Sequence, residues 1–522
     1  MPALLAAVAL LAAPAVATAQ VTGCSVLPGT SNVTSFGTNS GRVTHMSTPR
    51  LRCVDGRYIE ADSLVHYEVS GYTNMLGRVV FRADGRELRA AEAQYFENIG
   101  RLEAEGDVRL RELERGTVIT GQDLLYLRAG VQRPQEQLTV TGDRPRAVLY
   151  PRRDTLRTPD VELDSVAPYE IVADRIYLVG DQFLQAQGTV GVVRDSLLAF
   201  SDSLSYDQVG GALDLVGRPA RVVEGELDLS GNRLRILLPG DVIEEVTARE
   251  DAVLDTDSLD VTAPFIRIFM AEGVFDRLVA SVPADAEADA GVNPAAVPAP
   301  TVDPALPDSA AIDSVPPIRA RAVGNSITMD ADSLDVIAPA QRLERMTAIG
   351  SARAVSTVRD TLNTSDTPED ILHDWIEGDT VRAAFAPQET EDGTDVNYVL
   401  ESLEARLNAR SLYRLEPDSV QRADTTAFRG RLPVNYTEAD GILLFFADGE
   451  VTRMEWVGLR RGIQLQPARL PGEVAEPDEG STGGQGGSGG QGGGGDGGGG
   501  DAVEPRTNEE SRRSGGQENE HP

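Results

Sequence analysis

Asp62-Ser63-Leu64-Val65-His66-Tyr67 opens a phrase that recurs along most of this chain: an acidic or amide residue, then apolar residues, then usually a tyrosine. It returns as Glu92-Ala93-Gln94-Tyr95, Asp123-Leu124-Leu125-Tyr126, Asp174-Arg175-Ile176-Tyr177 and Asp202-Ser203-Leu204-Ser205-Tyr206. Weaker copies begin at Asn232, Asp257, Asp332 and Asp379. Several neighbouring copies lie roughly 25 to 31 residues apart, the period range of stacked repeat architectures. A unit this short cannot bury a core alone, so it must stack on its neighbours.

Inside the phrases the period is two. Leu102-Glu103-Ala104-Glu105 and Val108-Arg109-Leu110-Arg111 alternate apolar and charged residues, as half-buried strands do. Gly106-Asp107, Gly142-Asp143, Gly180-Asp181 and Gly217-Arg218 read as tight turns between strands, supplying positive φ angles. No long stretch carries helical periodicity. The fold class expected is all-β, an elongated repeat of stacked rungs.

Two segments break the pattern. Residues 285–318 are rich in Pro and Ala and read as a linker. The phrase Asp257-Ser258-Leu259-Asp260-Val261 before it is echoed by Asp332-Ser333-Leu334-Asp335-Val336 after it, so both sides share one architecture. That divides the strands into one array over 57–284 and a second over 319–470. The Gly-rich, acidic tail, 471–522, has too little apolar surface to fold and is expected to be disordered.

Residues 1–19 are almost wholly Ala, Leu and Val and end in Ala17-Thr18-Ala19, resembling a cleavable signal peptide without its basic start. The segment 20–56 holds the two cysteines, Cys24 and Cys53. A lone pair in an exported chain most simply forms one disulfide, which restricts the unfolded chain by about 3 to 4 kcal/mol. Val21-Thr22-Gly23-Cys24 also looks like a bacterial lipobox, which would make Cys24 a lipidated residue instead. The expected location is periplasmic, or the outer membrane as a lipoprotein if Cys24 is lipidated.

The formal charge of −34, with all 48 cationic side chains arginine, offers no basic stripe and speaks against nucleic acid as a partner. The four histidines, His45, His66, His373 and His521, lack metal-ligand spacing. His66 reads as a surface or lining residue. No Gly-rich phosphate loop precedes a helix and no nucleophile elbow is present. The aspartates read as turn formers and solvated faces rather than calcium ligands. The expectation is a protein that is not an enzyme and uses no cofactor or metal. Tyr67, Tyr95, Tyr126, Tyr177 and Tyr206 are either strand formers at a sheet rim or a common lining of an apolar groove.

Ala61-Asp62-Ser63-Leu64 with Tyr67, Leu102-Glu103-Ala104-Glu105-Gly106-Asp107-Val108 and Leu213-Asp214-Leu215-Val216-Gly217 together resemble the OstA-like, or LptA-type, domain of lipopolysaccharide-transport proteins. Trp375-Ile376-Glu377-Gly378-Asp379-Thr380-Val381 and Gly449-Glu450-Val451-Thr452-Arg453 continue the likeness. It covers roughly residues 57 to 470, apart from the linker. The chain is much longer than a bridge protein of that family, and it lacks the long C-terminal run of transmembrane β-strands expected of the family's outer-membrane assembly proteins.

The resemblance implies an open β-jellyroll with an apolar slot. Its expected partners are lipopolysaccharide or another acyl lipid, and other OstA-like transport proteins joined by edge-strand pairing. Leu64, Val108, Leu125, Ile176, Leu204 and Leu215 are the expected lining. An acyl chain there would gain about 0.8 kcal/mol per buried CH₂. The rival expectation is a structural or adhesive envelope solenoid whose interior is packed solid. A distant third is a carbohydrate-active enzyme with paired carboxylates in a cleft.

Overall fold

The computed structural model describes residues 23–39, 41–150, 167–180, 182–271, 273–282, 319–324, 326–358, 360, 363, 367–389, 396–415, 433–447 and 450–465. The expected signal peptide 1–19, the linker 285–318 and the tail 471–522 lie outside the described residues.

Described residues up to 465 form one all-β unit, whose strands join in a single 30-stranded antiparallel sheet. Helical geometry is confined to short 3-10 turns such as Glu97–Ile99 and Pro239–Asp241. The sheet is a ladder in which each rung hydrogen-bonds to the rung before it and the rung after it. Tyr72–Ala83, Arg86–Phe96 and Arg101–Glu112 are three successive rungs, each one strand long. Other rungs are two short strands end to end, as with Tyr58–Glu60 and Ser63–Tyr67, which pair with the two halves of Tyr72–Ala83.

Every rung bends in the middle, where the register shifts. In Tyr72–Ala83 the shift falls between Leu76 and Val79, at Gly77 and Arg78, both at positive φ. Gly106-Asp107, Gly188-Thr189, Glu250-Asp251, Gly350-Ser351 and Leu407-Asn408 repeat the paired positive φ at the bends of their own rungs. The inserted residues of a bulge bend a strand in this way. Gly106-Asp107 and Gly217-Arg218 therefore lie within strands, not between them as expected, and Gly142-Asp143 forms the bend between two half-strands. Gly106-Asp107 and Gly142-Asp143 have the expected positive φ, whereas Gly217-Arg218 does not; that these pairs serve corners inside a rung was not legible.

The corners divide each rung into two arms. One arm contains, in successive rungs, Ser63–Tyr67, Gln137–Thr141, Arg175–Val179 and Val274–Ser281; it is called the first arm here. The second contains Tyr58–Glu60, Arg146–Leu149, Tyr169–Val172 and Ala320–Gly324. Alternation turns one face of each arm inward, so the two apolar faces oppose each other across a shared interior. Among the described residues no strand of one arm hydrogen-bonds to a strand of the other away from the corner; side chains alone close the mouth between the arm tips.

The expected division into two arrays gives way to one continuous ladder. Val274–Ser281 and Ala320–Gly324, on either side of the linker segment, both pair with the same strand, Leu259–Ala271. Both then hand on to the halves of the next rung, Ser333–Ile337 and Ile327–Ala331. The Pro/Ala-rich stretch thus joins the two arms of one rung. The segment 20–56 likewise belongs to the ladder: Gly41–Ser47 and Arg50–Cys53 pair with Ser63–Tyr67 and Tyr58–Glu60. The outer rungs are Cys24–Val26 with Ser31–Thr38 at one end and Glu450–Val457 with Arg461–Leu465 at the other.

Candidate ligand slot

Two files of directly opposed residues run along the inward face of the first arm. The file nearer the corners begins Met46, Leu64, Met75, Ala93, Ala104, Leu124, each paired with the next. It continues through Val140 to Ile176, Ala186, Leu204, Leu215 and Leu234. It passes the linker without a break, from Ile266 to Ala280 to Leu334. Every residue named in it is almost fully buried. Alanine recurs here because the arms converge toward the corner and leave little depth for a side chain.

Four of the expected lining residues, Leu64, Ile176, Leu204 and Leu215, lie in this one file, and Val108 is buried on the second arm. Leu125 does not line the interior. It pairs with Glu103 and Thr139 on the outer face, while its neighbour Leu124 pairs with Ala104 and Val140 inside. Adjacent leucines leave the face ambiguous in the sequence, and a one-residue step reverses it.

The second file lies nearer the mouth: Thr44, His66, Thr73, Tyr95, Leu102, Tyr126, then Leu138, Leu178, Leu184, Tyr206 and Leu213. Three of the repeated tyrosines, Tyr95, Tyr126 and Tyr206, therefore share one inward position. Tyr67 is exposed and stacks on Tyr72, and Tyr177 pairs with Thr139 and Gln185 on the outer face. The phrase ends at two different phases because its spacing from the corner varies by one residue. Burial raises the Tyr126, Tyr169 and Tyr206 phenols above the usual range, helped by nearby Glu136 or Asp241, so they stay neutral donors.

The start of this file is polar. His66 is buried, and its Nδ1 lies 3.0 Å from the Thr73 hydroxyl. Burial pushes the imidazole below its ordinary range, outweighing the attraction of Glu97 and Glu68. Among the described residues no group of His, Cys, Asp and Glu is arranged to hold a metal.

Among the described residues three ion pairs bridge the mouth, each with its arginine at the tip of the second arm and its carboxylate on a first-arm turn. Arg57 reaches Glu97 at 2.6 Å and lies over the Tyr95 ring. Arg86 meets Glu136, which also accepts from the Tyr126 hydroxyl at 2.8 Å. Arg194 donates to Asp241 Oδ1 at 2.8 Å and pairs with Oδ2 as well, while the Tyr169 hydroxyl donates to Oδ1 at 3.0 Å. Burial disfavours the Arg57 and Arg194 charges, yet the carboxylate and tyrosine partners outweigh it and raise both. Beneath two of the bridges an aromatic pair spans the arms: Phe81 with Tyr95, and Tyr169 with Tyr206. The sequence gives no signal for these bridges, because Arg57 and Glu97 stand 40 residues apart and Arg194 and Asp241 stand 47 apart.

The space inside is small. A cavity of about 30 Å³ is floored by Leu110, Leu138, Leu149 and Leu178, between the second and third bridges. Another of about 30 Å³ lies between Phe81, Leu102, Leu124 and Tyr126. A dry apolar cavity near 150 Å³ is what a benzene-sized ligand requires. An acyl chain therefore enters this interior only if the arms part. A larger open cleft, about 590 Å³, lies beyond the third bridge against Ile243, Phe269 and Met270.

Cys24 and Cys53 are opposed across paired strands and joined as a disulfide, fixing the short strand Cys24–Val26 to the ladder. Toward the other end of the ladder Arg414 is buried against Asp374, with Asn363 and Asp360 among its further partners. That cluster holds the tip of one rung rather than lining the slot. No family model matches this chain, and comparison with the curated proteins finds no match.

Proposed function

We propose that this is a non-enzymatic cell-envelope protein that binds acyl lipid between the two arms of its rungs, in the manner of lipopolysaccharide transport at the outer membrane. One observation carries the reading: an apolar file runs unbroken along the inward face beside the corners, and the mouth above it is closed by side chains only. Parting the arms breaks no backbone ladder, because all strand pairing runs from rung to rung. Acyl chains would lie against leucine, valine and alanine, while headgroups stay at the mouth.

The resemblance to OstA-like domains supports the same reading, as do the outer strands, whose far edges have no partner strand among the described residues and so offer backbone groups to a similar domain. The disulfide at Cys24 uses the sulfur that lipidation would need, which supports a periplasmic location over a lipid anchor.

A second reading, a structural envelope solenoid without cargo, is favoured by the packing. Cavities of about 30 Å³ are those of a filled core. Mass spectrometry of protein purified from its native envelope separates the two. Stoichiometric acyl lipid in the purified protein is the expected result; lipid-free protein that takes up none on incubation with envelope lipid supports the scaffold.

A further inference from the structure

The three mouth bridges share a polarity that packing alone does not require. Arginine always stands on the second arm and carboxylate on the first, and the carboxylate always comes from a later rung in chain order. Each bridge sits beside an inward tyrosine of the mouth file: Tyr95, Tyr126 or Tyr206. The charges are half-hidden: the side chains of Arg57, Arg86 and Arg194 are 12%, 22% and 16% exposed. Water screens such pairs less than it does surface pairs, so each is a direct tie between the arm tips.

At the third bridge the Tyr169 hydroxyl on Asp241 adds a second tie between the arms, and aromatic pairs lie beneath the first and third. Between the second and third bridges the leucine-floored cavity opens toward Arg86 and Glu136 at one end and toward Gln208 and Gly180 at the other. It lies between two fixed points of the mouth and is lined by leucines of both arms, Leu138 and Leu178 from the first and Leu110 and Leu149 from the second.

We propose that the bridges are latches that gate the slot, and that the stretch between Arg86–Glu136 and Arg194–Asp241 is the window through which an acyl chain enters. The ligand part of this inference rests on the lipid-binding reading above; the latch itself does not. Releasing Arg86 from Glu136 lets the tips of the two arms separate over Leu110, Leu138, Leu149 and Leu178. The chain end passes between them, and the pair closes again over its headgroup side. A carboxylate or phosphate on the entering amphiphile competes with Glu136 for the guanidinium, so an anionic headgroup eases the opening.

The test uses the full chain with its disulfide intact, so that spin labels react only with introduced thiols. Asp84→Cys and Arg128→Cys place labels on exposed turns of opposite arms beside the second latch, and their separation is measured by pulsed electron resonance. In the same proteins the uptake rate of cis-parinaric acid is followed by stopped-flow fluorescence. Arg86→Glu sets two carboxylates against each other. It should broaden and lengthen the distance distribution and speed uptake by about tenfold, the rate change for a barrier lowered by one logarithmic unit. Arg86→Glu combined with Glu136→Arg should restore both readings. Arg86→Met, which removes charge without adding repulsion, should fall between, and keeps the test valid if the reversal variant folds poorly.

Distances unchanged in every variant, or a double reversal that fails to restore them, overturn the latch. Distances that respond while uptake does not change overturn the window. Distances that respond while no variant, nor the wild type, takes up the probe support the latch and remove the lipid reading beneath it.

Discussion

Asp62 lies over Gly77 at the corner between two rungs: a Cβ on that glycine would sit 2.4 Å from the Asp62 Oδ2. The Asp62 N–H donates to the Leu76 and Gly77 carbonyls, and its carboxylate takes Arg78 at 3.0 Å. Asp174 over Gly188, Asp332 over Gly350 and Asp440 over Gly458 repeat the contact. The leading aspartate of the recurring phrase is thus a corner residue. It turns the chain from one arm to the other and rests on the glycine of the next rung.

Gly77→Ala and Gly188→Ala should each lower stability by about 2 kcal/mol or more, since a Cβ must both enter the left-handed region and displace a carboxylate. The control is Gly85→Ala, where φ is +75° but nothing lies within 4 Å, so only the conformational part remains. Urea melts of the three variants measure the difference. Equal losses at Gly77 and Gly85 would remove the close approach from the account.

Leu124 and Leu125 test the face assignment. Leu124→Ala should cost about 2 to 5 kcal/mol as a buried truncation. Leu125→Ala should cost well under half of that, because Leu125 is only half-buried on the outer face. The same denaturation experiment reads both, and a reversed order would place the register one residue away.

Much of this architecture was readable from the residues. Period-two alternation gave the strands, and Leu64, Ile176 and Leu204, each two residues after a phrase-leading aspartate, fall with Leu215 in one file. Leu125 failed because two leucines are adjacent and no local signal sets the phase. The two readings of the tyrosines divide for the same reason: Tyr95, Tyr126 and Tyr206 line the interior while Tyr67 and Tyr177 do not, and hydrophobicity says nothing about which of two neighbouring positions follows the corner. Residues 285–318 suggest a break by composition, yet strand pairing on Leu259–Ala271 is a long-range property that composition does not report. The mouth bridges were invisible because they depend on arms meeting across the interior.

His66 gives the fold a pH dependence. Its folded pKa lies below the unfolded value of about 6.5, so the unfolded chain binds the extra proton first as pH falls. The contribution is complete above that unfolded value and diminishes as pH falls toward the folded pKa, below which it declines no further. His66→Gln should flatten the stability profile in the window just below pH 6.5, measured by chemical denaturation at stepped pH. An unchanged slope would mean His66 binds its proton equally well in the folded and the unfolded chain.

Reducing the Cys24–Cys53 disulfide should act locally. The bridge pins a strand of three residues at the outer edge, Cys24–Val26, so its loss frees that strand more than the ladder behind it. Hydrogen exchange should accelerate over residues 24–26 and 50–53, with little change near Leu204. Global loss of protection would show that the first rung nucleates the rest.

The central claim is that acyl lipid lies between the arms, and one strand tests it most directly. In Arg175–Val179, Ile176 faces the deep interior, Tyr177 the outer surface and Leu178 the mouth side of the interior. A photo-crosslinking amino acid is placed at each of the three positions, one at a time, and the protein is irradiated in its native envelope. The account predicts acyl-lipid adducts by mass spectrometry at Leu178 and Ile176 and none above background at Tyr177. Adducts equal at all three positions, or absent from all three in folded protein, would contradict it.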